Sequence, residues 1–177
     1  MNKKTTIGKK KLYRDKVLGA LLLDPTRSVK SIAKDLKIYR QAIWKEKREL
    51  ETSKAVWGYT AVVDDSKLNR GLYQILLKTK PLSNPLVDLI IKRISERAPQ
   101  KQDVQIKNAL YVNGEYDIVI CFSAPNHATA RRYYNSIRTS YQKFLLEKPI
   151  MINVDFSLVR EGKTNPDLEK LRELVPL

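Results

Sequence analysis

The chain has 177 residues, of which 42% are hydrophobic, so a buried core is feasible and disorder is not the expected state. Its formal net charge is +15. No apolar run approaches the roughly 20 residues of a membrane-spanning helix, and no apolar stretch of signal-peptide type follows the basic N-terminus. We therefore expect a cytoplasmic protein that does not enter a membrane.

The chemistry-bearing residues argue against an enzyme. Cys121 is the single cysteine, so it can form neither an internal disulfide nor a thiolate metal site alone. His127 is the single histidine, and its position after Pro125-Asn126 is typical of a helix start. The sequence also lacks a glycine-rich phosphate loop and a nucleophile–base pair. We predict no catalytic residues, no bound metal and no cofactor.

Positive charge is concentrated in the first third of the chain. Residues 1–54 contain 16 Lys+Arg and 6 Asp+Glu, a net charge of +10, whereas residues 55–177 contain 18 and 13, a net charge of +5. Such a field attracts polyphosphate, and neutralising phosphates releases counterions. Charge alone fits a solubility face or a basic tail about as well as a nucleic-acid surface.

Three helices are predicted in this basic third. Residues 1–11 have the composition of a flexible basic tail. Apolar spacing then predicts a helix over Leu12–Asp24, and Ser28 is a good N-cap for a second helix over Val29–Leu36. After a very short link, a basic third helix is predicted over about Arg40–Ser53. This outline indicates a helix-turn-helix, with a generic three-helix bundle as the alternative.

Residues 56–63 are rich in β-branched and aromatic side chains, so we predict a strand that completes a winged-helix-like domain over 12–63. Residues 64–70 have the character of a linker. The remainder predicts strands over 71–80, 104–112, 115–122 and 150–159, and helices over 84–97 and 126–145. This β-α-β-β-α-β order over 71–160 is typical of a ferredoxin-like sandwich. The fold class is therefore α+β, with a C-terminal tail over 161–177 that has room for one short helix capped by Asn165.

Two segments in this second domain carry further expectations. Asn113-Gly114 predicts a tight two-residue hairpin turn in which both residues adopt positive φ. Gly114 is thus interpreted mainly as a turn residue. Tyr133, Tyr134 and Tyr141 form an aromatic stripe at helical spacing, which favours core or dimer packing over stacking on a nucleobase.

The segment Val56-Trp57-Gly58-Tyr59-Thr60-Ala61-Val62-Val63-Asp64 resembles the junction between the two domains of Lrp/AsnC (feast/famine) regulators. The segment Val112-Asn113-Gly114-Glu115-Tyr116-Asp117 resembles that family's Gly-x-Tyr-Asp signature. The resemblance covers roughly residues 13–160. It implies a homodimer built through the α+β domain, higher assemblies of such dimers, and a small effector, often an amino acid, bound in that domain.

The chain departs from the family pattern in its helix-turn-helix. Tyr39, Glu46 and Lys54 stand where the family usually has a serine cap, an arginine and a glycine. By that alignment Glu46 faces DNA, where its charge would repel phosphate.

Together these observations predict a sequence-specific, DNA-binding transcriptional regulator. Its partners would be double-stranded DNA, a second copy of the chain and a small effector such as an amino acid. Alternatives are a metabolite-binding protein of the same fold that has lost DNA recognition, and an RNA-binding module. The predicted DNA-binding residues are Ser28, Arg40, Gln41, Trp44, Lys45 and Arg48, and the predicted ligand-binding residues are Gly114, Tyr116 and Asp117. An effector's ammonium group would be the partner of Asp117, whose other interpretation is a solvated residue at a strand start.

Overall fold

The computed structural model describes residues 3–97 and 99–176, and it divides into two compact units, Met1–Ala61 and Val62–Leu177. The sequence placed the end of the first domain at residue 63.

The first unit is helical. It contains α1 (Lys3–Leu23), α2 (Val29–Leu36) and α3 (Arg40–Thr52), which confirms the predicted helix-turn-helix order. Because α1 begins at Lys3 rather than Leu12, residues 3–11 are helical and not the tail that their composition predicted; residues 1 and 2 lie outside the described part. The three helices share a small core of buried apolar side chains: Val17, Leu21, Ile32, Ala33, Ile43 and Leu50.

Local capping explains the tight turn between α2 and α3. The Ser28 hydroxyl accepts a hydrogen bond from the Ser31 backbone N–H at 3.1 Å, which satisfies one of the free donors at the start of α2. At the other end Lys37 takes a left-handed conformation with φ 55°, and its backbone N–H reaches the last carbonyls of the helix. Only Ile38 and Tyr39 then separate Lys37 from α3.

The strand predicted after α3 is wrong, and no wing strand forms there. Residues 57–64 belong to no helix or strand. This extended segment is held against α3 by Tyr59, whose hydroxyl donates to Glu51 Oε1 at 2.9 Å and whose ring lies under Lys47 Nζ at 4.9 Å. The contacts of this segment with α3 described here are thus made by the Tyr59 side chain and not by strand pairing. Trp57, in the same segment, is 95% exposed.

The second unit has the predicted β-α-β-β-α-β order, which confirms the ferredoxin-like fold. Its elements are β1 (Gly71–Leu77), α4 (Asn84–Ser95), β2 (Gln105–Tyr111), β3 (Ile118–Ala124), α5 (His127–Tyr141) and β4 (Ile150–Val154). The strands form one antiparallel sheet in the order β2-β3-β1-β4. A small hairpin of β5 (Val159–Arg160) and β6 (Lys163–Thr164) follows, and then a 3₁₀ helix over Leu168–Leu174.

Alternation along the strands places the core between one face of the sheet and the helices. Tyr73, Ile75 and Leu77 of β1 are buried on that face, as are Ile118, Ile120 and Phe122 of β3. The rings of Phe122 and Tyr133 meet edge to face with centroids 4.9 Å apart. The tyrosine stripe of α5 lies in this core, as predicted: Tyr133, Tyr134 and Tyr141 are each 2–4% exposed.

The connection between β2 and β3 is a hairpin, but the predicted turn type is wrong. Tyr111 and Ile118 are the last paired residues, so six residues, 112–117, make the connection. Neither Asn113 nor Gly114 has a positive φ, and no atom lies within 4 Å of the position that a Cβ on Gly114 would occupy. The turn therefore does not require a glycine at 114.

Candidate nucleic-acid interface and ligand site

The outward face of α3 carries five predicted DNA-binding residues. All five are exposed: Arg40, Gln41, Trp44, Lys45 and Arg48. Their spacing of one, four, five and eight residues from the first places them on one side of a helix, opposite the buried Ile43 and Leu50. Three of the five are cationic, so this surface can contact phosphates and present donors to the edges of bases.

Trp44 and Arg48 are held together on this face. The Arg48 guanidinium lies 5.3 Å from the centroid of the Trp44 ring, and the indole is 55% exposed. Stacking of this kind limits the freedom of both side chains and leaves the guanidinium donors available. The pair thus presents a flat aromatic group and a charged fork in the second turn of α3.

Ser28 lies elsewhere, at the start of α2. Its oxygen already accepts from the Ser31 N–H, while its hydroxyl hydrogen remains free to donate. Tyr39, at the N-cap of α3, makes no side-chain capping bond and is 90% exposed. The end of α3 where a serine cap was missing is therefore open for contacts from outside the chain.

The expectation that Glu46 faces DNA is wrong. Glu46 is only 8% exposed and lies on the inward side of α3 with Ile43 and Leu50. The signal was present in the sequence, because positions 43, 46 and 50 have the spacing of one helical face. A carboxylate on that face does not repel a phosphate in front of the helix, so the outward surface of α3 stays basic.

The predicted ligand residues of the second unit lie in the loop between β2 and β3. Gly114 is exposed, whereas Tyr116 and Asp117 are half-buried. Asp117 fastens this loop to the end of β1: its Oδ2 accepts from the Thr79 N–H at 2.6 Å, and its N–H donates to the Leu77 carbonyl at 2.9 Å. Asp117 is therefore not a solvated residue at a strand start, and one of its carboxylate oxygens has a structural partner.

The sheet face opposite the helices carries one apolar, partly open row of side chains. One row across the four strands consists of Leu110, Val119, Leu76 and Ile150, of which Leu110 is 49% and Ile150 43% exposed. Cys121 lies one row along on this face, and partial burial raises the pKa of its thiol, which disfavours the reactive thiolate. Partly exposed apolar side chains on the face of a four-stranded sheet form a surface suited to association with another protein.

Sequence reasoning missed a charge cluster built around Asp65. This carboxylate is 3% exposed, and its two oxygens lie 2.9 Å from Lys107 Nζ and 2.6 Å from Arg160 Nη1. Arg160 also donates to the Val63 carbonyl. Burial by itself would raise the pKa of Asp65, but the two cations outweigh burial and hold that pKa below its ordinary 3.8. The cluster fastens the linker to β2 and β5.

In residues 3–97 and 99–176, no cluster of three or more His, Cys, Asp or Glu is arranged to hold a metal ion. None of the helices in the same residues combines the length and the apolar character needed to cross a membrane.

The fold described above defines a class: a helix-turn-helix unit followed by a ferredoxin-like unit is the fold of Lrp/AsnC transcriptional regulators, and this chain has it. Similar solved structures include an AsnC family transcriptional regulator from Agrobacterium tumefaciens, 15% identical with a TM-score of 0.63 over 92% of this chain and 98% of that one. LrpC of B. subtilis is 14% identical, with a TM-score of 0.60 over 83% and 95%.

The feast or famine regulatory protein of M. tuberculosis, solved in complex with L-methionine, is 15% identical with a TM-score of 0.65 over 86% of this chain and 96% of that one. No family model matches the chain, and no curated protein matches it significantly in sequence. The likeness therefore lies in the three-dimensional fold and extends over both units.

Proposed function

We propose that this chain is a DNA-binding transcriptional regulator of the Lrp/AsnC type. The observation that carries the proposal is the exposed basic face of α3, with Arg40, Lys45 and Arg48 beside Gln41 and Trp44. This face belongs to a helix-turn-helix that lies within residues 1–54 of the chain, and these residues have a net charge of +10. In a helix-turn-helix the second of the two motif helices, here α3, enters the major groove, and its N-terminal half contacts the bases.

Two roles follow for the five side chains. Arg40 and Gln41, in the first turn of α3, are placed to read base edges, where an arginine prefers guanine and a glutamine prefers adenine. Lys45 and Arg48 lie further along and contact phosphates. Ser28, with its free hydroxyl hydrogen at the start of α2, donates to the DNA backbone.

The second unit serves as the dimerisation and sensing module in this proposal. Its open apolar row, Leu110, Val119, Leu76 and Ile150, is covered by the same row of a second copy. A two-fold dimer would present two α3 helices to half-sites one helical turn apart or a multiple of it. The effector would be a small molecule such as an amino acid, bound near Gly114, Tyr116 and Asp117.

Binding-site selection from random duplex DNA, followed by titrations of the selected and a scrambled duplex, tests the proposal. The selected duplex should bind more tightly, and both affinities should fall steeply with salt because phosphate contacts release counterions. Arg40→Ala should weaken the selected complex by about 1–3 kcal/mol and relax specificity at one base pair. Lys92→Ala, which removes an exposed cation from α4, is the matched control and should change little.

The outcomes separate the candidate functions. An equal loss on selected and scrambled DNA would reassign Arg40 to phosphate contact. No selected sequence, together with affinity that does not respond to salt, would contradict DNA binding and favour a metabolite-binding protein with the same fold. Tighter binding to single-stranded RNA than to any duplex would favour the RNA-binding alternative.

A further inference from the structure

An open cavity of about 210 Å³ lies inside the helical unit. Tyr13 and Val17 of α1 line one side, and Ile38 lines the turn before α3. Ala42, Ile43 and Glu46 of α3 line the other side. Most of the wall is apolar, so the cavity combines a hydrophobic lining with one acidic side chain.

Glu46 brings one unsatisfied carboxylate oxygen to this cavity wall. It is 8% exposed, and its Oε2 is fully covered yet accepts no hydrogen bond. A buried carboxylate without a donor carries a large desolvation cost, and native structures seldom leave such a group unsatisfied. The carboxylate torsion is soft, so a small rotation brings either oxygen toward a donor placed in the cavity.

Lys45, the nearest cation in the sequence, does not supply that donor. It lines the same cavity but is exposed, and the covered Oε2 of Glu46 has no hydrogen-bond partner among the described residues. Adjacent residues on a helix point in different directions, which keeps the Lys45 ammonium at the rim. Among the side chains that the structure describes, none donates to Glu46 Oε2, so this oxygen is open to a donor from a bound molecule.

The size and lining of the cavity define the chemistry of such a donor. An apolar cavity of roughly 150 Å³ accommodates benzene, so 210 Å³ accepts a ring or branched chain with one polar substituent. A cation would satisfy the carboxylate with a charge-assisted hydrogen bond, while its apolar body would replace water against Val17, Ile38 and Ile43. A metal ion is a poor fit because a single carboxylate among apolar groups offers too few oxygen ligands.

We propose that this cavity is a binding site for a small organic amine, whose ammonium group pairs with Glu46 and whose apolar body fills the space between α1 and α3. The site lies in the helical unit and is separate from the effector site suggested near Gly114. It does not depend on the proposed DNA-binding function, because its occupancy is measured on the protein alone.

Isothermal titration calorimetry of the full chain with benzylamine and with benzyl alcohol tests this site. The two probes have the same number of heavy atoms and differ in the charged group. Benzylamine should bind with millimolar affinity or better, and benzyl alcohol about tenfold more weakly. Glu46→Gln should remove this preference, whereas Glu96→Gln, at an exposed acid of the second unit, should keep it.

Ala42→Leu provides a second variant that keeps the carboxylate and fills the cavity from α3. It should abolish benzylamine binding while far-ultraviolet circular dichroism confirms that the helices remain. Equal affinity for the two probes, unchanged benzylamine binding in Glu46→Gln, or absence of binding to the wild-type chain at millimolar concentration would each overturn the proposal. Retained binding in Ala42→Leu would place the amine outside the cavity and would also overturn it.

Discussion

The two units each bury a carboxylate, and they treat it in opposite ways. Asp65 of the second unit is paired with two cations that come from distant parts of the chain. Glu46 of the helical unit lies beside a cavity with an unsatisfied oxygen. The ion pairs of Asp65 link separate elements of the fold. A buried carboxylate oxygen without a donor instead lowers stability and links nothing. The two ion pairs give Asp65 a structural role, whereas the role that we propose for Glu46 is binding.

The cores of the two units differ in the same direction. Among the side chains that the structure describes, six buried apolar ones form the core of the helical unit and fourteen form that of the second unit. A smaller core supplies less hydrophobic stabilisation, so the helical unit has less stability to spare. The destabilising, unsatisfied oxygen of Glu46 thus lies in the unit with the smaller core. Substitutions at Glu46 and Asp65 compare the contributions of the two acids to stability.

The largest expected effect is at Asp65. Asp65→Ala leaves Lys107 and Arg160, each 22% exposed, beside each other without a counter-charge. It should lower the free energy of unfolding of the second unit by about 3 kcal/mol, the lower end of the range for a buried ion pair, because both cations keep some contact with water. The paired variant, Glu46→Leu, removes a buried acid that has no partner, and it should leave the stability of the helical unit unchanged or raise it. Scanning calorimetry of both variants measures this. A loss at Glu46 as large as that at Asp65 would show that the two acids are alike.

Lowering the pH should remove the stabilisation that the charge on Asp65 gives to the wild-type chain. Because the pKa of Asp65 is held below its ordinary value in the folded chain, its stabilisation is present above about pH 4 and is lost as the pH falls through the folded value. Urea unfolding at several pH values should show wild type and Asp65→Asn far apart near neutrality. The gap should narrow progressively below pH 4. A gap that does not depend on pH would mean that the charge on Asp65 is not what stabilises the unit.

A smaller effect is expected in the loop between β2 and β3, where Asp117 rather than the turn residue Gly114 has the structural contacts. Asp117→Ala leaves the part-buried Thr79 N–H without its acceptor and should cost about 1–3 kcal/mol. Gly114→Val should change stability by only about 0.5 kcal/mol, because residue 114 is exposed and has no positive φ. Thermal melts of the two variants compare them directly. A severe defect in Gly114→Val would restore the tight-turn interpretation.

The smallest effect is expected at Lys54, which follows α3 in a left-handed conformation with φ 57°. Lys54→Gly relieves steric strain at that φ but gives the unfolded chain more freedom, so the net gain should be about 0.5–1 kcal/mol. Lys34→Gly, at a helical position in the last turn of α2, is the control and should instead destabilise by about 0.5–1 kcal/mol. Chemical denaturation followed by circular dichroism would detect both changes, and a loss at Lys54 would contradict the strain argument.

Helix phase and strand alternation made much of this molecule predictable. The apolar spacing of Ile43 and Leu50 fixes which side of α3 is buried, and therefore which side presents Arg40, Trp44 and Arg48. The same spacing also buries Glu46, which the family alignment placed toward DNA. At position 46 the family alignment and the helix period disagree, and the packing of α3 follows the helix period.

What the sequence determined by itself was local: the helices, the β-α-β-β-α-β order, the buried tyrosine stripe of α5 and the basic character of the first third. These features depend on periods of two or 3.6 residues and on nearby caps, which a linear pattern contains. Only the tertiary structure decided the rest. The partner of Asp65 is Arg160, 95 residues away, and the carboxylate of Asp117 binds Thr79, 38 residues earlier. Such contacts depend on which strands become neighbours, so no local spacing predicts them, and the same holds for a cavity whose walls come from two helices and a turn.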